Sequence, residues 1–168
     1  MTDLDVLINL YNLPKDIDRD PNEALAQYGI KIKRALPCDR GEIREFITRE
    51  FSSGWADEAE KGLFNAPTSL FIATFEERVV GFAAYDCTAL GYYGPLGVDP
   101  SMRKKGIGEA LSTTCLRAMR EKGYGYAIIN AGPVQYYVKR YNGMVIGDHI
   151  GVYENMIHPP KPGNMDED

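Results

Sequence analysis

Residues 30 to 36, "IKIKRAL", alternate apolar and charged positions, as a strand does with one face buried and one in water. Much later, Ile107, Ala110, Leu111, Cys115, Ala118 and Met119 recur at helical spacing and stop at Gly123. Residues three and four apart share one side of a helix. That stripe therefore predicts an amphipathic helix of about four turns. Between the two, both periods occur. "CDRGEIREFITREF" sets Ile43, Phe46 and Ile47 on one helical face, and Asp39 with Glu42 three residues on resembles a capping box. "SGWADEAEKGLF" carries Trp55, Ala59 and Leu63 at helical spacing. "TSLFIATF" and "RVVGFAAYDCT" flank "EER" and read as an antiparallel hairpin. "ALGYYGPLGVDP" is a strand interrupted by Gly and Pro, which predicts a bulge or a splayed strand.

The ends are shorter in signal. Residues 5 to 12 are apolar and predict a short strand or an arm packed on the domain. A short helix follows, with Asp20 as N-cap, Pro21 at the first helical position and Gly29 as the stop. "YAIIN" is a short buried strand, and "PVQYYVKRY" is a helix opened by Pro133. "MVIGDHIGVYENMI" reads as the last strand, or as two strands turning at Gly147–Asp148. Residues 158 to 168, polar and Pro-rich, predict a mobile tail. The order of elements predicts an α+β domain over residues 1–157, with residues 1–29 as an N-terminal arm and short helix. One parallel strand pairing is expected where the central helix crosses over.

Composition narrows the function classes. A chain of 168 residues can bury roughly 70% of its unfolded surface, enough for a core in one domain. With 44% apolar and 26% charged residues it reads as soluble and globular. A net charge of -5 argues against nucleic acid or an anionic membrane as partner. Cys38, Cys87 and Cys115 are odd in number and widely spaced, so reduced thiols in a cytoplasmic protein are expected. Two histidines, His149 and His158, are too few for a metal cluster, and no metal is expected. The acidic N-terminus lacks the basic region of a secretory leader.

The densest chemistry is "RKKGIGEAL", residues 103 to 111, where three cations and two glycines precede the amphipathic helix. A helix start carries unpaired N–H groups and the positive end of the dipole, and glycines let a phosphate approach that backbone. A P-loop would need GxxxxGK[ST], which is absent, and a dinucleotide fingerprint would need glycine where Leu111 stands. The pattern R-x-x-G-x-G, after a broken strand and a "VDP" turn, resembles the acetyl-CoA pyrophosphate loop of the GNAT (Gcn5-related) N-acetyltransferases. The resemblance covers about residues 30 to 155. "GPLGVDPSMRKKGIGEAL" and the later "GPVQYYVKRYNGM" look most like a bacterial subgroup of poorly defined substrate.

That resemblance implies an αβα sandwich: a mixed, mostly antiparallel sheet with the family's strands four and five splayed and helices on both faces. It implies acetyl-CoA as co-substrate and a small-molecule amine as acceptor, acetylated by direct attack. Leu96, Gly97 and Val98 would pair with the pantetheine arm, and a backbone N–H there would polarise the thioester carbonyl. Arg103, Lys104, Lys105, Gly106, Ile107, Gly108 and Glu109 would cradle the pyrophosphate. Asn130 would bond the arm or a water. Tyr137 would bind beside the cofactor and act as general acid at sulfur. The spacing from Tyr137 to Gly143 is longer than usual, so Tyr136 stays open for that role. For the base, the candidates are Asp86, Glu58, Asp57 or a water chain. Trp55, Glu58, Tyr92 and Tyr93 would line the acceptor site. A homodimer helped by the N-terminal arm fits the resemblance. A CoA-binding sensor without turnover is the alternative.

Overall fold

The structure, a computed structural model, describes residues 4–130, 132–147 and 151–159. Among these residues seven strands form one sheet: β1 (Asp5–Asn9), β2 (Ile30–Arg34), β3 (Leu70–Phe75), β4 (Arg78–Tyr85), β5 (Tyr92–Val98), β6 (Tyr126–Ile129) and β7 (Met144–Ile146). Their order across the sheet is β2-β3-β4-β5-β6-β1-β7. Only β5 and β6 run parallel, and the crossover between them is the long helix the apolar stripe predicts. The helices are α1 (Pro21–Leu25), α2 (Arg40–Glu50), α3 (Ser53–Phe64), α4 (Ile107–Lys122) and α5 (Val134–Tyr141).

Local chemistry places the ends of these elements. Asp20 accepts the amide of Asn22 and starts α1, and Gly29 turns the chain into β2 at φ 69°. Ser52 accepts the amide of Trp55 and starts α3. The expected cap from Asp39 does not form. Residues Pro37–Asp39 make a 3-10 turn instead, and α2 begins at Arg40 with no side-chain cap. The hairpin closes on Glu76 and Glu77, at φ 47° and 60°. Two positive φ values in a two-residue loop match the right-handed twist of the strands.

Helices cover both faces. On one, Ile43, Phe46 and Ile47 of α2 with Ala59 and Leu63 of α3 pack on Leu70, Ile72 and Phe82. On the other, Ile107, Leu111, Leu116 and Met119 of α4 join Val6, Ile8, Ala127, Tyr137 and Tyr141. Each such aliphatic side chain stabilises the fold by about 1.5–3 kcal/mol when removed from water. The α+β reading of the sequence holds, with one change at the end of the chain. The proposed second strand after Gly147 is a 3-10 turn, Gly151–Asn155. The strand beside β7 is β1, from the other end of the chain. Asp148 and most of the tail predicted at 158 to 168 lie outside the described residues.

Candidate active site

The sheet opens where β5 and β6 part. They pair at only two rows, Tyr92 with Ile128 and Tyr93 with Ile129. Val6 of β1 stands in the second row, opposite Ile129. One row further are Gly94, Asn130 and Asp5. From there β6 ends, while β5 runs on to Val98 paired on its other edge with β4. Gly94 and Pro95 together face Ala84, so β5 bulges at this point. One edge of Leu96, Gly97 and Val98 is thus left without a strand among the described residues. It can hydrogen-bond an extended ligand as a further strand would.

This edge leads to the start of α4. Asp99 accepts the amide of Ser101 and turns the chain. Arg103 donates from Nε to the Val98 carbonyl at 3.4 Å, Lys104 stands at φ 63°, and Gly106 caps the helix at φ 83°. The amides of Ile107, Gly108 and Glu109 form the first turn, where helix N–H groups have no partner within the helix. A Cβ at Gly108 would meet nothing nearer than Val98 Cγ2 at 3.8 Å. The protein itself therefore leaves room for a side chain there. The space suits a ligand that must reach the backbone, as a pyrophosphate would.

On the α4 face, directly under the parting of the strands, three hydroxyls meet. Tyr93 and Ser112 of α4 share a hydrogen bond of 2.7 Å. The Tyr137 ring stands edge-on to Tyr93 at 6.1 Å, with its hydroxyl within electrostatic reach of Tyr93 and Ser112. Tyr137 is only 4% exposed. Burial drives its hydroxyl well above the usual tyrosine range, against the smaller pull of Tyr93. It stays protonated at any working pH. Tyr136 points elsewhere: its buried hydroxyl, beside that of Tyr141, has no partner in hydrogen-bond geometry.

On the α3 face, Phe51 lies over Gly97 and stacks on Trp55 at 5.4 Å. One turn along α3 from Trp55, Glu58 accepts a hydrogen bond from Thr88. The Tyr153 hydroxyl stands 3.2 Å from Thr88 Oγ1, the oxygen that donates to this carboxylate. Burial raises the Glu58 carboxyl above its ordinary range, against the smaller pull of the Thr88 and Tyr153 hydroxyls. Asp5, 7% exposed, accepts from Asn130 Nδ2 and from the Tyr92 hydroxyl at 3.3 Å. No cationic side chain among the described residues pairs with Asp5 or Glu58.

The expected residues thus divide. Leu96, Gly97, Val98, residues Arg103 to Glu109 and Asn130 follow the opened edge. Trp55, Glu58 and Tyr92 lie on its α3 face, and Tyr93 and Tyr137 on its α4 face. Asp86 is not brought to the opening. Its carboxylate binds Lys122 Nζ, the Tyr124 hydroxyl and the Gly91 amide at 2.8–2.9 Å. Lys122 ends α4, whose 16 residues put it about 24 Å from the glycine start. Asp57 is exposed and tied to Arg44 at 2.6 Å. Asp5, Ser112 and Tyr153 are additions that sequence reading missed. Asp5 at the head of an apolar run could have been noticed as a strand-end charge; Ser112 and Tyr153 carried no local signal. Among the described residues no group of three or more His, Cys, Asp or Glu could hold a metal ion, and no helix is long and apolar enough to cross a membrane.

None of the curated proteins matches the chain. Among solved structures, the glucosamine N-acetyltransferase region of a fungal multi-domain GH3 β-N-acetylglucosaminidase superposes at TM-score 0.67. It covers 86% of this chain and 20% of that one at 13% identity. A Gcn5-related N-acetyltransferase from Sphaerobacter thermophilus gives TM-score 0.61, 17% identity, and 85% and 48% of the two chains. A GNAT acetyltransferase from Brucella melitensis in complex with acetyl-CoA gives 0.50, 22% identity, and 71% and 90%. The chain therefore spans about a fifth and about half of the first two proteins, and identities this low establish the fold alone. The sequence model of the acetyltransferase (GNAT) family matches residues 40–144, which is more than half of the chain and contains α2 through β6, the broken strand and the glycine start of α4. The chain belongs to the GNAT acetyltransferase family.

Proposed function

We propose that the protein is an acyl-CoA-dependent N-acyltransferase that moves acetyl from acetyl-CoA to a primary amine of a small molecule by direct attack. The observation that carries this reading is the edge of β5 that no strand among the described residues pairs, which ends at the glycine start of α4. Acetyl-CoA would supply the activated thioester. The edge of Leu96, Gly97 and Val98 would hold its pantetheine arm, and a β5 amide would bind the carbonyl oxygen. The first-turn amides of Ile107, Gly108 and Glu109 would take the pyrophosphate, with Lys104 and Lys105 adding charge in solvent. Asn130 borders the same gap.

The two faces of the parting suit the two proton movements. The amine approaches from the α3 face, where Trp55, Tyr92 and Glu58 lie. Its lone pair forms the bond to the carbonyl carbon, and the carbon–sulfur bond breaks. Tyr137, protonated on the α4 face, donates to the leaving sulfur. Cys115 is fully buried and Cys87 nearly so, and burial raises the Cys87 thiol to about 11. Neither supplies a thiolate for a covalent route.

The test is release of CoA thiol from acetyl-CoA by purified protein across glucosamine, 1,4-diaminobutane and amino acids. Amine-dependent release supports transfer. Tight CoA binding with no release across the panel supports a CoA-binding regulator, and absence of CoA binding overturns both.

A further inference from the structure

We infer that Glu58 is the proton acceptor for the attacking amine and that Tyr153, from the turn near the C-terminus, is the residue that positions it. The inference rests on the transfer reading above and names a part of the same site. Three observations lead to it.

First, Glu58 is in the right layer. It lies one turn from Trp55 on α3, and Trp55 stacks on the Phe51 ring that covers Gly97. The other candidate carboxylates are already occupied: Asp86 by Lys122 and Asp57 by Arg44. Asp5 is occupied too, by two donors and the close approach of Gly151, where a Cβ would come within 2.3 Å of Oδ2.

Second, Glu58 is held without being neutralised. It accepts from the Thr88 hydroxyl, which the Tyr153 hydroxyl meets at 3.2 Å, and no cationic side chain among the described residues pairs with it. Hydroxyl donors fix a carboxylate while leaving its second oxygen able to take a proton. The charged and titratable groups around it are Cys87 behind, Lys61 on the next turn of α3, and Asp5 and Tyr92 beyond Tyr153. Lys61 Nζ is spent on the Asp86 carbonyl at 2.7 Å and on Asn65.

Third, Tyr153 arrives from a distant part of the chain. It closes over the α3 face from the Gly151–Asn155 turn, within electrostatic reach of both Glu58 and Asp5. A tyrosine set against Thr88 there holds the hydroxyl that donates to Glu58, which gives the carboxylate one geometry.

The step balances as follows. The amine nitrogen bonds to the carbonyl carbon and loses one proton to a Glu58 carboxylate oxygen. The electron pair of the breaking carbon–sulfur bond stays on sulfur, which takes the Tyr137 proton. Exchange through solvent returns the Glu58 proton to the Tyr137 oxygen, and the protein is restored.

The experiment uses the full chain and the amine that releases CoA fastest among glucosamine, 1,4-diaminobutane and glycine. Glu58→Gln keeps an acceptor oxygen for Thr88 but takes no proton. It should lower kcat at least about 100-fold with acetyl-CoA affinity within about twofold. Glu58→Asp should recover part of that loss. Tyr153→Phe removes a hydroxyl whose presence favours the charged carboxylate. It should move the low-pH limb of kcat/KM, and the Glu58 carbon-13 carboxyl titration, to higher pH together. A mere loss of packing would lower the whole profile without moving it. Glu58→Gln within about fivefold of wild type, or retaining the same low-pH limb, overturns the assignment. An unmoved titration in Tyr153→Phe overturns the positioning role. Absence of acetyl-CoA binding in the wild type is the separate failure of the transfer reading, and the assignment falls with it.

Discussion

The Phe51 ring lies so close over Gly97 that a Cβ there would come within 2.4–2.8 Å of three ring atoms. Real Cβ contacts do not occur at such distances, so an added methyl must push the ring away. The ring is not free to move, because it stacks on Trp55 at 5.4 Å and meets Phe46 and Phe82 edge-on. Gly97→Ala should therefore destabilise the fold by about 1–3 kcal/mol. Trp55 is the chain's single tryptophan, so its fluorescence should shift as well. Truncating the ring with Phe51→Ala should relieve most of the added cost of Gly97→Ala. A double-mutant cycle by denaturant melts checks this coupling.

The two glycines before α4 should respond in opposite ways. Gly106 stands at φ 83°, where a side chain strains the backbone. Gly106→Ala should cost about 1–2 kcal/mol of stability. Gly108 has ordinary helical backbone and open space around a Cβ. Gly108→Ala should leave stability unchanged or raise it by about 0.5–1 kcal/mol, yet weaken CoA binding at least tenfold. Calorimetric titration with CoA, beside thermal melts of the free protein, separates the two effects.

Asp86 and Lys122 join the corner after β4 to the end of α4, and they matter for stability. Burial pushes the Asp86 carboxyl up. The hydrogen bonds from Lys122, the Gly91 amide and Tyr124 outweigh it and hold it below the ordinary carboxylate range. A carboxyl whose folded pKa is depressed stabilises the fold at pH values above the unfolded pKa of about 3.9. That contribution disappears as pH falls through the lower folded value. Lys122→Met leaves the charge of Asp86 buried and without its cation. The expected loss is about 2–3 kcal/mol at neutral pH, less than for a fully buried pair because the Lys122 side chain is 32% exposed. The gap between variant and wild type should narrow below pH 4 in urea melts at a series of pH values.

Tyr137→Phe removes one hydroxyl from the trio with Tyr93 and Ser112. The remaining two keep their 2.7 Å bond, so the structural cost should be about 1 kcal/mol. If the hydroxyl donates to sulfur, kcat should fall about 100-fold or more while CoA affinity stays within twofold. Phe substitution at Tyr136, whose hydroxyl faces Tyr141 instead, should leave kcat within a few-fold. Steady-state kinetics of the two variants side by side decide which tyrosine acts.

Much of this architecture is legible because its signals are local. The period of Ile107 to Met119 gives α4 its length and its buried face. The Gly and Pro of "GYYGPLG" mark the bulge, and "RKKGIG" marks the glycine start of α4. What the sequence hides depends on long-range pairing. Asp86 looks like a strand-end base until Lys122, 36 residues later, is seen to hold it. Tyr92 and Tyr93 are adjacent in sequence, yet strand alternation sends one to Glu58's face and the other to Tyr137's. The Asp39 capping pattern is present, but the preceding Pro37 starts a 3-10 turn, and the Asp39 carboxylate accepts from the Cys38 thiol at 3.8 Å instead of capping α2. The apolar run at residues 5 to 12 predicts a strand without saying that it lies inside the sheet.

That inner position makes β1 a part of the cleft. Val6 and Ile8 are 1% and 0% exposed, and both pack into the core against α4 and α5. Ile8→Ala should cost about 2–5 kcal/mol, whereas Asn9→Ala, at an exposed site one residue on, should stay within about 0.5 kcal/mol. Asp5, at the head of the same strand, accepts from Asn130 on β6 and Tyr92 on β5, the two strands that part at the cleft. Asp5→Ala leaves both donors without that acceptor and loosens the point where the strands separate. The expected result is about 1–3 kcal/mol of lost stability, together with weaker CoA binding. Asp5→Asn keeps an acceptor oxygen and should recover most of both. Denaturant melts and CoA titrations of Ile8→Ala, Asp5→Ala and Asp5→Asn test this directly. If Ile8→Ala lowers stability but spares CoA affinity while Asp5→Ala lowers both, β1 supports the sheet through its apolar face and shapes the cleft through Asp5. Equal loss of affinity in both variants would instead trace it to general loosening of the sheet.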